Sequence, residues 1–235
     1  MRKAVGRSSD RSRPTPRLVL ASASPRRREL VRRLGVPCDV EPTAVDETPR
    51  TGERPADLAV RLAEAKARAA QPGTHWVLAA DTVVILDDQA LGKPRDAAEA
   101  VSMLQRLRDR THEVATGVCL LVPGSRPRLA VVRTHVQMRP YSDAEIRAYV
   151  ASGAPLDKAG AYGIQDAGFS PVRAIRGCYT NVVGLPLCAV ADLLRDAGWR
   201  HAPRTETICP HSGAWAVPPG ARSDVLGLTG APPPR

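Results

Sequence analysis

"RLVLASASPRRRELVRRLG", residues 17–35, passes from an apolar run into a strongly basic one, and its reading decides the fold class. Residues 17–22 make a short apolar segment ending in small residues, the pattern of a buried strand. Ser24 suits an N-cap and Pro25 the first helical position, while Leu30, Val31 and Leu34 form a stripe that stops at Gly35. The spacing therefore predicts a strand that hands the chain to a helix over 24–35. Such a junction is a ready anion site, because free backbone N–H groups and the helix dipole favour negative charge. Ser22 and Ser24 add hydroxyl donors, and Arg26 and Arg27 lie in a first turn that ordinarily prefers acidic residues. Taken alone, the stretch reads either as a phosphate cradle or as an exposed basic helix face.

The alternation continues downstream. Residues 38–49 give a second extended piece running into a loop, and 55–70 an amphipathic helix with Leu58, Leu62 and Ala65 on one face. "WVLAADTVVILDD", 76–88, carries the strongest strand signal, with a turn at Asp87-Asp88. Asp96 caps a helix over 96–109, "HEVATGVCLLV" and "RLAVVRTHVQMR" pair as strands, and capped helices follow over 142–153 and in "LPLCAVADLLRDAG". Strands alternating with helices, plus one hairpin pair, predict an α/β domain with a mixed sheet. That domain spans 17–198. Residues 1–16 are polar and Arg/Ser/Pro-rich, a predicted disordered basic arm, and 199–235 a Pro/Gly-rich, loosely ordered tail.

The 235-residue length suffices for a buried core, and with aromatics at 3% that core must be mostly Val, Leu, Ile and Ala. No apolar run is long enough to span a bilayer, and no hydrophobic signal region follows the basic N-terminus. The expectation is a cytoplasmic protein with no membrane partner. Cys38, Cys119, Cys178, Cys188 and Cys209 form no C-x-x-C pair and read as reduced packing thiols. The net charge of +10 invites a nucleic-acid reading, but residues 1–17 hold +5 of it and 198–235 a further +2. With little excess in the middle, no specific nucleic-acid partner is expected.

Only four of the 34 basic residues are lysine, and three of these, Lys66, Lys93 and Lys158, lie in the middle of an arginine-rich chain. They read as placed for their own chemistry, a compact charge on a flexible stem. Asp81 interrupts the strand "LAADTVVIL", where an unpaired buried carboxylate would cost several kcal/mol. It needs a metal, a positive partner or a place at the strand's open end. Glu47 in "AVDETP" is a plausible second metal ligand on a loop. "LGKP" pins Lys93 beside a turn, and "DKAGAYGIQ" places Gln165, with amide donor and acceptor, where it can read a base edge. There is no P-loop or G-x-G-x-x-G, and His201, Cys209 and His211 in the tail lack zinc-site spacing.

Together "LASASPRRREL", "VDE", "RLAEAKA", "AADTVVILDDQALGKPRDAAEAVSMLQRL", "THEVATGV" and "YVASGAPLDKAGAYGIQ…NVVGLPL" resemble the Maf family of nucleoside triphosphate pyrophosphatases, in order, from about Leu18 to Leu194. "GAYGIQ" is similar to the subgroup acting on dTTP and UTP rather than on 7-methyl-GTP. The resemblance implies a mixed twisted sheet flanked by helices in an elongated, two-lobed, inosine-triphosphatase-like architecture with a central cleft. It implies hydrolysis between the α and β phosphorus atoms, a divalent cation (Mg²⁺ or Mn²⁺), and a homodimer. By carry-over, Asp81 is the proton acceptor and touches the metal with Glu47. Ser22, Arg26, Arg27, Lys66 and Lys93 cradle the triphosphate, and Arg26, Thr82 and Gln165 set base preference. Lys158 supports the loop or the phosphates, and Arg28 is plain surface charge. After Gln165 the pattern departs, with Asp166 and Ala167 in place of a glycine and its neighbour. The family's link to septum formation gives the alternative reading, a regulator of cell division acting through partners.

Overall fold

The computed structural model describes residues 16–70, 73–199 and 211–219. Strand β1 (Leu18–Leu20) is wholly buried and leads through Ala21–Ala23 into helix α1 (Pro25–Arg33). Ser24 caps that helix, its Oγ accepting from Arg27 N at 3.4 Å, and Leu30, Val31 and Leu34 turn inward as their spacing predicts. Strand β2 (Cys38–Val40) follows. Residues 41–54 then run without helix or strand to helix α2 (Pro55–Ala69). The buried face of α2 runs through Leu58, Ala59, Leu62, Ala63 and Ala67. Ala65, expected on that face, is only half-buried, because the stripe drifts with the 3.6-residue period.

Strand β3 (Trp76–Leu86) turns at Asp87-Asp88 into β4 (Gln89–Leu91), and both aspartates take the positive φ that a tight two-residue hairpin needs. Helix α3 (Ala97–Leu107) is capped by Asp96. Strands β5 (Thr111–Leu121) and β6 (Arg128–Met138) form the predicted antiparallel pair. Helix α4 (Asp143–Ala151) begins at a full capping box between Ser142 and Glu145. Two short 3₁₀ turns at Ala154–Asp157 and Ala159–Ala161 precede β7 (Val172–Cys178), α5 (Tyr179–Val183) and α6 (Leu187–Asp196). The predicted arm lies outside the described residues but for Pro16. Within the stretch read as a loose tail, Trp199 is buried edge-on against Trp76, and β8 (His211–Ala216) adds an edge strand to β7. His201 and Cys209 lie outside the described residues.

The sheet is mixed, in the order β2-β1-β3-β5-β6-β7-β8, with β4 on the free side of β3. Strands β2, β1 and β3 are parallel, and the remaining pairs are antiparallel. Alternation along β3 sorts its side chains. Val77, Ala79 and Val83 pack under α2. On the other face, Leu78 and Ala80 join a core with α1 and α6, while Val84 and Leu86 join a second core with α3 and α4. These two cores are the two lobes. Helix α2 lies close on the sheet because position 117 is glycine: a Cβ there would stand 2.4 Å from the Ala59 carbonyl oxygen.

Candidate active site

Strand β3 is the floor of the site. It pairs with β1 over residues 76–78 and with β4 over 84–86, so on that side residues 79–83 have no strand neighbour. A cleft of about 600 Å³ opens along this free stretch. Asp81 and Thr82 sit in it on opposite faces of the strand. Here β1 turns away into α1, so the cleft lies off the carboxyl end of a strand where neighbouring chains diverge, the usual ligand position in α/β sheets.

Asp81 is buried and accepts a hydrogen bond from Lys66 Nζ at 2.6 Å. Lys66 comes from the α2 face above, and its ammonium lies equally close, 2.6 Å, to Glu47 Oε1 on the 41–54 loop. Burial pushes the Asp81 carboxyl above the ordinary aspartate range, while the charges of Lys66 and Arg27 pull it back. For Glu47, burial acts upward but is outweighed by the Lys66 hydrogen bond and by the charges of Lys66, Lys93 and Arg27, so its carboxyl falls below the usual range.

Arg27 leaves α1 and crosses to the far wall. Its Nε donates to Gly184 O (2.8 Å), Nη1 to Ser22 Oγ (3.4 Å) and Nη2 to Thr82 Oγ1 (3.1 Å). Thr82 Oγ1 in turn shares a 2.9 Å hydrogen bond with Thr116 Oγ1, which lies 3.2 Å from Asn181 O. A chain of hydrogen bonds therefore fixes the guanidinium to the sheet. Desolvation lowers its pKa, opposed by Asp81. Ser22 Oγ also accepts from Ser24 N (3.2 Å), which ties the turn between β1 and α1. Arg26 reaches across the mouth to Asp157 Oδ2 at 3.0 Å. Arg28 is exposed.

The opposite wall carries Lys93, exposed beyond β4, and the 157–168 segment with Gln165. Gly160 N donates to Gly92 O (3.0 Å), which joins the Lys93 turn to that segment. Lys158 Nζ donates to Asp157 Oδ1 (2.8 Å) and to Ala154 O, and stands 3.7 Å from Asp166. Tyr149 Oη donates to Asp166 and accepts from Gly163 N (3.3 Å). Asp166 thus pins the loop that holds Gln165.

All ten residues given a site role from the sequence line this one cleft: Ser22, Arg26 and Arg27; Glu47 and Lys66; Asp81 and Thr82; Lys93, Lys158 and Gln165. Sequence reasoning missed Asp157, which holds Arg26, and Gly184, whose carbonyl holds Arg27. A glycine before Leu185-Pro186, at a φ of 123°, was the available signal for the second. Among the described residues no three His, Cys, Asp or Glu side chains gather as a metal site. Glu47 Oε1 and Asp81 Oδ1 converge on the Lys66 ammonium, each at 2.6 Å. A hard cation such as Mg²⁺ suits one or two carboxylates completed by phosphate and water oxygens, and would take that ammonium's place between them. The donor set fits on those terms.

A model of the family described as "Maf-like protein" matches residues 17–197. The chain is 53% identical over 187 residues to a dTTP/UTP pyrophosphatase of Anaeromyxobacter dehalogenans (strain 2CP-C), covering 78% of this chain and 95% of that protein. A dTTP/UTP pyrophosphatase of Myxococcus xanthus (strain DK1622) is 50% identical over 190 residues, with the same two coverages, 78% and 95%. The solved structure of a nucleoside-triphosphatase/dITP/XTP pyrophosphatase from Mycobacterium abscessus aligns over 66% of this chain and 82% of its own at a TM-score of 0.38 and 17% identity, too distant to carry residue roles across.

Proposed function

The chain belongs to the Maf-like protein family, and from that premise we propose that it hydrolyses dTTP and UTP to the monophosphate and pyrophosphate. The observation that supports this most is the buried Asp81–Lys66 pair at the free edge of β3, with Glu47 and Arg27 beside it. Phosphoryl chemistry demands positioning and charge neutralisation more than covalent catalysis. Arg27 is preorganised by three protein acceptors and presents a fixed positive face. Lys66 and Arg26, each held by carboxylates, and the exposed Lys93 add further positive charge around the same space. In the first turn of α1, Pro25 has no N–H and the Ser24, Arg27 and Arg28 amides already have acceptors, which leaves the Arg26 N–H to meet a phosphate.

Asp81 takes the proton of the attacking water. Its raised pKa makes it a stronger base, while the charges of Lys66 and Arg27 favour its ionised form. Oxygen adds to phosphorus as the bridging P–O bond breaks, and pyrophosphate departs with the electron pair. Glu47 and Asp81 would hold a divalent cation, which supplies further charge neutralisation on phosphate oxygens when bound. Gln165, on a loop pinned by Asp166 and Tyr149, faces the base and sets its preference together with Arg26 and Thr82.

The test is pyrophosphate release by the purified chain with a panel of nucleoside triphosphates and Mg²⁺ or Mn²⁺. Release from dTTP and UTP is expected. A folded chain inactive on every nucleotide overturns the proposal.

A further inference from the structure

Residues 41–54 form a long connection without helix or strand, yet Glu47 at its middle is aimed at Lys66. Loops of that length are uncommon in compact domains and need something to order them. The candidate is an arginine that the proposed chemistry leaves unused.

Arg61 lies on α2, one turn and a half before Lys66. Its Nε donates to Glu53 Oε1 at 2.6 Å and its Nη2 to Glu53 Oε2 at 2.8 Å, a two-point fork. The same Nη2 donates to the Thr48 carbonyl at 3.0 Å, the residue after Glu47. Glu53 closes the loop on itself by accepting from Arg50 N at 3.0 Å. Thr48 N in turn donates to Asp46 Oδ1 at 2.9 Å. The remaining arginines of α2 and its cap behave differently: Arg54 pairs with Asp57 and Arg68 with Glu64, each a helical neighbour and each largely exposed. Arg61 has Asp57 and Glu64 at the same spacings and uses neither. Its side chain is 21% exposed and that of Glu53 10%, far below those surface pairs. The Arg61 hydrogen bond, then the Arg50 N–H, hold the Glu53 carboxyl down to about 2, so the clamp stays charged at any working pH.

We propose that Arg61 is a positioning residue that fastens residues 46–53 to α2 and so holds Glu47 at the cleft before ligand arrives. A loop ordered in advance spares the ligand that entropic cost. The role in cation binding rests on the proposed function; the role in loop order does not.

Hydrogen exchange on the protein alone is the first test. In Arg61→Met, amides of 46–53 should exchange about tenfold faster or more, while those of α3 keep their wild-type rate. The second is a double-mutant cycle on Mn²⁺ affinity in the presence of α,β-imido-dTTP. Arg61→Met should weaken Mn²⁺ by about tenfold in the wild-type background and by less than about twofold with Glu47→Gln, because both changes act through one carboxylate. Arg61→Lys should fall between, since an ammonium loses the fork. Should Arg61→Met not fold, Glu53→Gln removes the same ion pair and replaces it in both measurements. Wild-type exchange rates in 46–53, or additive losses in the cycle, overturn the proposal. Exchange judges Arg61 even in a chain that releases no pyrophosphate, the outcome that instead overturns the proposed function.

Discussion

Asp81 balances two opposed effects, and its pH behaviour follows from them. Burial raises its pKa above the ordinary 3.8, while Lys66 and Arg27 favour the carboxylate. As the base it must be ionised, so kcat/KM should fall on the acid side at a higher pH than an ordinary aspartate would give. Arg27→Met removes one stabilising charge and should move that acid limb to still higher pH, alongside its loss in rate. A pH profile of the two proteins checks both statements, and a limb that moves down refutes the assignment. Asp81→Asn should lower turnover by at least about a hundredfold. The linkage sign is unusual for a carboxylate. Because the folded-state pKa is raised, this group's contribution to stability is complete below the unfolded value and declines as pH rises through the folded one. At neutral pH, Asp81→Asn should therefore melt at or above the wild-type temperature, which calorimetry checks while confirming the fold.

At the scale of elements, Gly117 decides how closely α2 approaches the sheet, and through α2 where Lys66 and Arg61 stand. Gly117→Ala forces a Cβ against the Ala59 carbonyl at 2.4 Å. The expected cost is about 1–3 kcal/mol, read as a fall of about 2–4 °C in Tm per kcal/mol. Pyrophosphatase activity should fall as well, because the whole helix is pushed off β5. The sequence announced most of these elements through caps and periods: Ser24, Asp96 and Ser142 all start helices where their chemistry says, and Asp87-Asp88 makes its turn. Strands β4 and β7 escaped notice, as did β8 in the stretch read as a tail. The first is only three residues long, and the second, "VRAIRGC", sits between glycine-rich stretches that mask its alternation. The site was legible wherever a residue was out of place for its element, as with a carboxylate in an apolar strand or arginines at a helix start. Arg61 and Asp157 were not, because a charged residue on a helix face or in a turn looks ordinary until the fold supplies its partner.

On the scale of the whole molecule, one structural fact limits how the site can work. Strands β3 and β5 pair without a break from Val77↔Leu121 to Ile85↔Glu113. That ladder runs beneath the α1–α6 core at one end and the α3–α4 core at the other. The lobes are thus two loads carried on one beam, with no joint at which one could swing against the other. Nucleotide binding should leave the radius of gyration of the domain unchanged in X-ray scattering, while exchange slows in 157–168. Whatever seals this cleft must then come from the Gln165 rim, closing toward a Glu47 rim that Arg61 already holds in place and over a floor that does not bend.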